Sequence, residues 1–402
     1  MTKNIVILVL SVLIAFAFTL VADRILGMAV SSGAPPGSVE LIFPPGSEKA
    51  FASLEFQYHV HVNSLGLRDR EFSPERTKTF RIAAIGDSFT YGWGVEIEQT
   101  WPKLLEQNLR QTGADVEVIN MGKPGAGPPF YAELAERAVP MLRPDLVIVG
   151  VLQDDVGESM PDGVAPAPGP KRGWLLKSVQ RVYPNAVRLM RTAKERHNAK
   201  TAHAGSPEKS SIEDNRRSNA DGAKRLLKDM TPEQRTRFDR LEDTVKRAFE
   251  TGDINPYMFD LSVVKNPGYY RFLMKIDDPY IKKCVESMGT QLKRIVEIAG
   301  EFGAKVLVVP VPLGPYVNLP ENTSIRRVGF NADESMLDSV NPDLEVKAAA
   351  EQAGAPFASV TRGFKERKNE TGLYYPLDGH FTPDGHKLFA ELLTPLVVER
   401  IR

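Results

Sequence analysis

Cysteine is nearly absent: one residue, Cys284, in a chain of 402. A lone thiol excludes an intrachain disulfide even in an oxidising compartment. No activating group surrounds it, and its place in the amphipathic stretch Tyr280 to Phe302 assigns it to packing. Net charge is missing too: 51 Lys+Arg balance 51 Asp+Glu. That balance removes the electrostatic case for a nucleic-acid partner. No internal repeat is visible. No acid or histidine pair stands at the helical spacing of a zinc site. His59 and His61 flank Val60 and read as one face of a strand. They invite a metal reading, with Asp378, His380, Asp384 and His386 as further ligands, but the spacing does not support it. Neither a metal nor a cofactor is expected.

Two short segments almost three hundred residues apart carry the chemistry. The first is Ile85-Gly86-Asp87-Ser88-Phe89-Thr90-Tyr91-Gly92, directly after the apolar run Arg81 to Ile85. The run reads as a buried strand and a helix-like stretch follows. Ser88 then sits at a strand-to-helix turn, near backbone N–H groups and the positive end of a helix dipole. The second is Leu377-Asp378-Gly379-His380-Phe381-Thr382-Pro383, just before the last helix-like stretch. A serine, a histidine and an aspartate are the parts of an activated hydroxyl nucleophile. Each segment alone has a plainer reading. Gly-Asp-Ser is often only a turn, and Thr382-Pro383 is an ordinary helix entry. His386, inside that helix, points to a different face from His380 and reads as structural.

Together, Gly86-Asp87-Ser88 and Asp378-x-His380 make the chain resemble the SGNH, or GDSL, hydrolase superfamily of α/β/α esterases, lipases, thioesterases and carbohydrate deacetylases. The resemblance implies a catalytic set of Ser88, His380 and Asp378. Ser88 would attack an ester carbonyl, His380 would take its proton, and Asp378 would orient the imidazole. The family's second block matches Asn120 to Gly127, with Gly125 at the oxyanion glycine and Asn120 in support. Its third block follows the strand Leu146 to Gly150, where the oxyanion asparagine aligns with Asp154 and its neighbour with Asp155. The implied oxyanion hole is therefore Ser88, Gly125 and Asp154, with Asp87, Asn120 and Asp155 supporting.

Asp154 departs from the pattern. An ionised carboxylate only accepts hydrogen bonds, and its charge opposes that of a tetrahedral intermediate. Three readings stand at this point. Asp154 is held protonated by burial beside Asp155, or Gln153 reaches in as the donor, or the site is weak or adapted to another acyl acceptor.

The N-terminus holds the one hydrophobic span, Ile5 through Ala22, flanked by Lys3 and by Asp23-Arg24. It is barely long enough to cross a bilayer as a helix. The expectation is an uncleaved anchor over residues 1–30, with the N-terminus inside and the catalytic body on the periplasmic side. A cleaved signal peptide is the competing reading, with a late site at Ala29-Val30-Ser31. Residues 31–50 read as a linker, the stretch to Pro45 being rich in Gly, Pro and Ser.

Residues 51–402 are then a hydrolase domain of α/β class: three α/β/α layers around a mostly parallel, flavodoxin-like sheet. Strands are expected near Arg81–Ile85, Asp115–Asn120, Leu146–Gly150 and Ala304–Val311, with a short one near Pro356–Ser359. Helices are expected near Thr100–Gln111, Tyr131–Met141, Tyr280–Phe302, Pro342–Ala353 and Pro383–Ile401. Phe51 to Phe72 alternates enough for strands and ends in Asn63-Ser64-Leu65-Gly66-Leu67-Arg68-Asp69-Arg70-Glu71. That ending reads as a turn with a charged surface, and a similar segment precedes the nucleophile in a membrane-anchored bacterial branch of the superfamily. A largely helical insertion, 156–278, interrupts the fold. Within it, Lys200–Lys224 reads as disordered or a solvated loop, and Thr231–Thr251 as one charged helix. Ile254–Pro279 brings Tyr257, Phe259, Tyr269, Tyr270 and Phe272, either to pack or to form a lid or substrate platform.

The resemblance and the anchor together imply an esterase or deacylase, with an O-acetyl group on an envelope or exported carbohydrate as substrate. The envelope polysaccharide machinery is the candidate partner. A polysaccharide O-acetyltransferase using the same serine is an alternative, as is a lipase or thioesterase. A non-catalytic binding or scaffold module, with Asp154 marking a degenerate oxyanion hole, is the reading from another class.

Overall fold

Four apolar runs, each too continuous to leave a face to water, set the centre of the molecule. The computed structural model describes residues 11, 14–23, 39–73, 75, 78–159, 182, 183, 186, 190 and 207–401. Its strands, in chain order, are β1 (Glu48–Ala52), β2 (Gln57–His61), β3 (Phe80–Gly86), β4 (Val116–Gly122), β5 (Leu146–Leu152), β6 (Lys209–Ser210) and β7 (Lys305–Val311). The four runs pair in parallel in the order β4-β3-β5-β7. Counted from β3 as the first strand, this is the doubly wound order 2-1-3-4.

Alternate residues of each strand face opposite layers. Ile82 and Ala84 of β3 meet Trp101, Leu105 and Leu109 of the helix Trp101–Gln111, and Phe389 of Pro383–Ile401. Ala83 and Ile85 face Tyr131, Ile295 and Val346, from the helices Pro128–Leu142, Pro279–Glu301 and Asn341–Ala353. Cys284 is buried in the second of these layers. The expected fifth strand is reduced to one bridge, Phe357 with Val308. Val308 N–H reaches Pro356 O at 2.9 Å and Ala358 N–H reaches Val308 O at 3.0 Å. The ladder stops there because Ser359 turns away, its Oγ at 2.5 Å from Asp343 Oδ2.

A second, smaller sheet runs β2-β1-β6. In β2, Tyr58 and Val60 are buried while His59 and His61 face outward, as their alternation predicts. The strands expected up to Phe72 end at His61, and a turn over 63–67 receives the preceding chain: Val39 N–H bonds Ser64 O and Leu41 N–H bonds Leu65 O.

Lys200–Lys224 is not a solvated loop over its described part. The helix Ile212–Asp229 opens on a capping box in which Ser211 and Asp214 exchange side-chain-to-backbone bonds. It packs Ala223, Leu226 and Leu227 into the core around Phe249 and Phe259. Thr231–Thr251 forms two helices, Pro232–Asp239 and Asp243–Thr251, because the chain turns extended at Glu242. Among the described residues no helix is long and apolar enough to cross a membrane. The expected anchor lies largely outside the described residues; its described part, residues 11 and 14–23, is helical.

Candidate active site

β3 ends where no side chain fits. A Cβ on Gly86 would fall 2.1 Å from Thr90 Oγ1 and 2.8 Å from Gly150 O. The chain then enters the short helix Ser88–Tyr91, capped by Asp87, whose Oδ1 accepts the Phe89 N–H at 3.0 Å. The helix lies so close to β4 that a Cβ on Gly122 would sit 2.0 Å from Tyr91 N. Its far end is held by a buried guanidinium. Arg68 donates to the carbonyls of Tyr91 (2.9 Å), Gly92 (2.7 Å), Val95 (2.7 Å) and His59 (3.1 Å). Asp69 is buried as well. It pairs with Lys103 at 2.6 Å and accepts the Asn120 N–H at 2.8 Å. Arg68 and Asp69 are therefore no charged surface, as the sequence suggested. Full burial is tolerable for Arg68 because backbone carbonyls replace its water, and for Asp69 because Lys103 neutralises it.

Against this turn the structure brings His380 and Asp378. His380 Nε2 lies 2.8 Å from Ser88 Oγ, and its Nδ1 lies 2.5 Å from Asp378 Oδ1. Phe89 stacks near the imidazole, ring centres 4.8 Å apart, and Trp93 flanks it at 6.1 Å. The Trp93 indole donates to Asp378 Oδ2 at 3.3 Å. Burial alone would lower the basicity of His380, but the Asp378 carboxylate, joined by Asp87, outweighs it and holds the imidazole above its ordinary value. Asp378 is anchored in turn by Glu55, which accepts its N–H at 2.9 Å and that of Leu377 at 3.0 Å.

Gly125 sits on the loop after β4 with φ +70°, a conformation suited to glycine, and nothing lies near the position a Cβ would take. Neither its N–H nor that of Ser88 has a hydrogen-bond partner among the described residues. Asn120 does not enter the cavity. Its Oδ1 accepts the Gly122 N–H at 3.0 Å and braces the end of β4. Gln153 turns away, donating to Asp343 at 2.8 Å and accepting the Leu313 N–H at 2.8 Å. That removes it as an oxyanion donor. Asp155 Oδ2 accepts from Tyr131 OH and Leu152 N, both at 2.9 Å. Asp154 is buried beside them. Burial, then Glu158 and Asp87, hold its carboxyl well above the usual carboxylate range. Burial likewise moves Asp87 up to about 6 and Glu158 up to about 7.

These groups line one cavity of about 310 Å³, bounded by Ser88, Gly125, Asp154 and His380. Tyr257, Met258 and Tyr270 close it from the insertion, and Leu313 and Ile325 from beyond β7. Of the insertion's aromatics, Phe259 packs instead on Phe249, 4.3 Å between centres. Sequence reading missed Glu55, Trp93 and Glu158. Trp93 stands five residues after Ser88, just past the Gly92 cap of its helix, and Glu158 four after Asp154 at the end of the helix that Asp154 opens. Glu55 carried no signal, because only the folded chain brings it to Asp378.

Residues 84–257 match the family described as "GDSL-like Lipase/Acylhydrolase family". No curated protein matches the chain. Among solved structures it is similar to a G-D-S-L family protein from Desulfitobacterium hafniense DCB-2 (13% identity, 79% of this chain and 99% of that one, TM-score 0.37). It is also similar to a catalytic mutant of an acetylxylan esterase from Geobacillus stearothermophilus (12% identity, 80% and 93%, TM-score 0.35). A third is a family 3 carbohydrate esterase from Clostridium thermocellum (12% identity, 81% and 98%, TM-score 0.36).

Proposed function

We infer that this chain, an ester-hydrolysing enzyme of the GDSL-like lipase/acylhydrolase family, works through an acyl-Ser88 intermediate and removes a short acyl group, O-acetyl in the first instance, from a carbohydrate. The observation that carries the reading is the continuous hydrogen-bond chain Ser88–His380–Asp378 opening on a cavity. His380 Nε2 takes the Ser88 proton as Oγ bonds to the ester carbon. The oxyanion forms against the free N–H groups of Ser88 and Gly125. Collapse expels the alkoxide, which takes the proton back from His380. Water, deprotonated by the same nitrogen, then releases the acid and restores Ser88. Asp378 keeps the imidazole in the right tautomer and offsets its charge at each proton transfer. The carbohydrate part of the reading is supported by the cavity's size and by Trp93 and Tyr257 in its wall, flat rings suited to a sugar face. The same reading places the enzyme on the outer side of a membrane, tethered by the apolar run from Ile5 to Ala22.

The test is acetate release by the full chain in detergent from p-nitrophenyl acetate and from an acetylated polysaccharide, with Ser88→Ala alongside. Release lost in the variant supports the reading. Release equal in both, with Ser88 unlabelled by a fluorophosphonate, defeats it. Fractionation of expressing cells checks the tether: the full chain is expected with membranes, and a chain lacking residues 1–30 in the soluble fraction.

A further inference from the structure

We propose that Asp154 completes the oxyanion hole as a neutral carboxylic acid, its O–H donating to the developing oxyanion beside the N–H groups of Ser88 and Gly125. The inference rests on the reading of Ser88 as the nucleophile.

Asp154 follows the carboxyl end of β5 and lines the same cavity as Ser88 and Gly125. Its residue is 9% exposed. Its carboxyl has no hydrogen-bond partner in any other residue among those described, and in the wall of the cavity it is largely withdrawn from water. That arrangement is costly unless the group is neutral and a ligand completes it. The residues beside it are already engaged: Gln153 with Asp343 and Leu313, Asp155 with Tyr131 and Leu152. Of the three side chains at this bend, only Asp154 is free to donate.

The surroundings select the neutral form. Asp87 after β3, and Asp155 and Glu158 on Asp154's own element, bring three more carboxyls to the cavity wall. The tyrosines facing Asp154 are Tyr257, Tyr269 and Tyr270 from the insertion and Tyr316 from beyond β7. Burial pushes each of these phenols up, so none supplies charge. Among the described residues no lysine or arginine lines the cavity. Lys265, the cation felt by Glu158, is paired with Asp260 at 2.9 Å, and His380 is committed to Asp378. Four carboxylates cannot all ionise in such a space, and burial raises Asp154 with Glu158 and Asp87 adding to it.

In the reaction the Ser88 Oγ–carbon bond forms, the carbonyl π pair moves to oxygen, and the Ser88 proton goes to His380. Asp154 keeps its own proton and shares it as a hydrogen bond. Collapse reverses the electron shift and returns Asp154 unchanged. Ionised, it would lose the donor and repel the oxyanion, so turnover falls as the pH rises through its titration.

The test compares kcat against pH for wild type, Asp154→Asn and Asp154→Ala on p-nitrophenyl acetate, with Ser88→Ala as the blank and infrared spectra of each. Wild type is expected to lose turnover on the alkaline side. Asp154→Asn, a donor at every pH, keeps its turnover there. Asp154→Ala is slower by about a hundred-fold or more at neutral pH, the usual effect of one lost oxyanion donor. The protonated-carboxyl band of wild type is expected to lose one component in both Asp154 variants. The proposal fails if the alkaline loss survives in Asp154→Asn, if Asp154→Asn is as slow as Asp154→Ala, or if the band is unchanged. A wild type no faster than Ser88→Ala instead defeats the hydrolase reading and takes this one with it, while the band still reports the proton on Asp154.

Discussion

The carboxylate of Glu55 receives the backbone N–H of Asp378 at 2.9 Å. Glu55 lies between β1 and β2, outside the parallel sheet, and 323 residues separate the pair. The small sheet is therefore part of the machinery that sets His380 against Ser88. Glu55 holds the loop, the loop presents Asp378, and Asp378 orients the imidazole.

Removing that hold displaces the loop without touching the reacting atoms. Glu55→Ala is expected to lower kcat by roughly ten- to a hundred-fold, with KM little changed, the scale of effect of a shift near 1 Å in a positioned group. Glu55→Gln keeps one acceptor and recovers most of the rate. Burial moves Glu55 up to about 7. An acid raised on folding contributes stability that is complete below its unfolded value, near 4.5, and lost as pH rises to about 7. Urea midpoints at pH 5 and pH 8 should fall further in wild type than in Glu55→Gln. The difference is at most on the order of 3 kcal/mol.

In the proposed reaction His380 must be neutral to take the Ser88 proton. Asp378 holds its pKa above the ordinary 6.5 against the pull of burial. kcat/KM for a neutral ester is thus expected to rise with pH through an inflection above 6.5. Asp378→Asn removes the charge that raises it. The inflection should move down, and turnover should fall by about ten-thousand-fold if the imidazole is left in the wrong tautomer. A pH–rate profile for both proteins checks the direction. An inflection unmoved by Asp378→Asn rejects His380 as the titrating base.

The parallel sheet was legible because its strands are buried on both faces and read as unbroken apolar runs. The turn after β3 was legible in Gly86-Asp87-Ser88, and the loop after β4 in Gly125; a side chain at Gly86 would collide, and Gly125 has positive φ. What escaped reading depends on distant partners. Arg68 looks solvated in sequence because nothing nearby shows the four carbonyls it will meet. The helix Ile212–Asp229 looked like a loop because its apolar stripe is thin, Ala223 and Leu226 among charges, although Ser211-x-x-Asp214 announced its start. Asp154 could be placed from the chain alone, but its surroundings could not: Asp87 joins Glu158 beside it only when β3 and β5 lie side by side.

Trp93 touches both proposed catalytic partners of Ser88. It donates to the Asp378 oxygen that His380 leaves free, and its ring flanks the imidazole. Trp93→Phe keeps much of the apolar wall and loses the donor. The expected cost is roughly ten-fold in kcat, the size of one hydrogen bond to a charged group. Trp93→Ala also opens the cavity wall and should raise KM for a sugar ester more than for p-nitrophenyl acetate. Equal KM changes for the two esters would argue against contact between the indole and the sugar.

His386 lies six residues after His380 but serves the fold. It is fully enclosed, and its Nδ1 accepts the Trp101 N–H at 3.2 Å, tying the last helix to the start of Trp101–Gln111. Burial drives its pKa down to about 3, with the charge on His380 adding to the effect. A base depressed on folding contributes stability that is complete above its unfolded value, near 6.5, and lost as pH falls towards 3. The loss near pH 3 is on the order of 4 kcal/mol, a large part of the stability of an ordinary domain. His386→Gln cannot take up that proton while keeping an acceptor for Trp101. It should start less stable at pH 7, because the amide fits the space less well, yet lose less between pH 6.5 and pH 4. Denaturant midpoints across that range decide the point. Parallel acid curves for the two proteins would show that the buried imidazole is not the group whose protonation unfolds the chain.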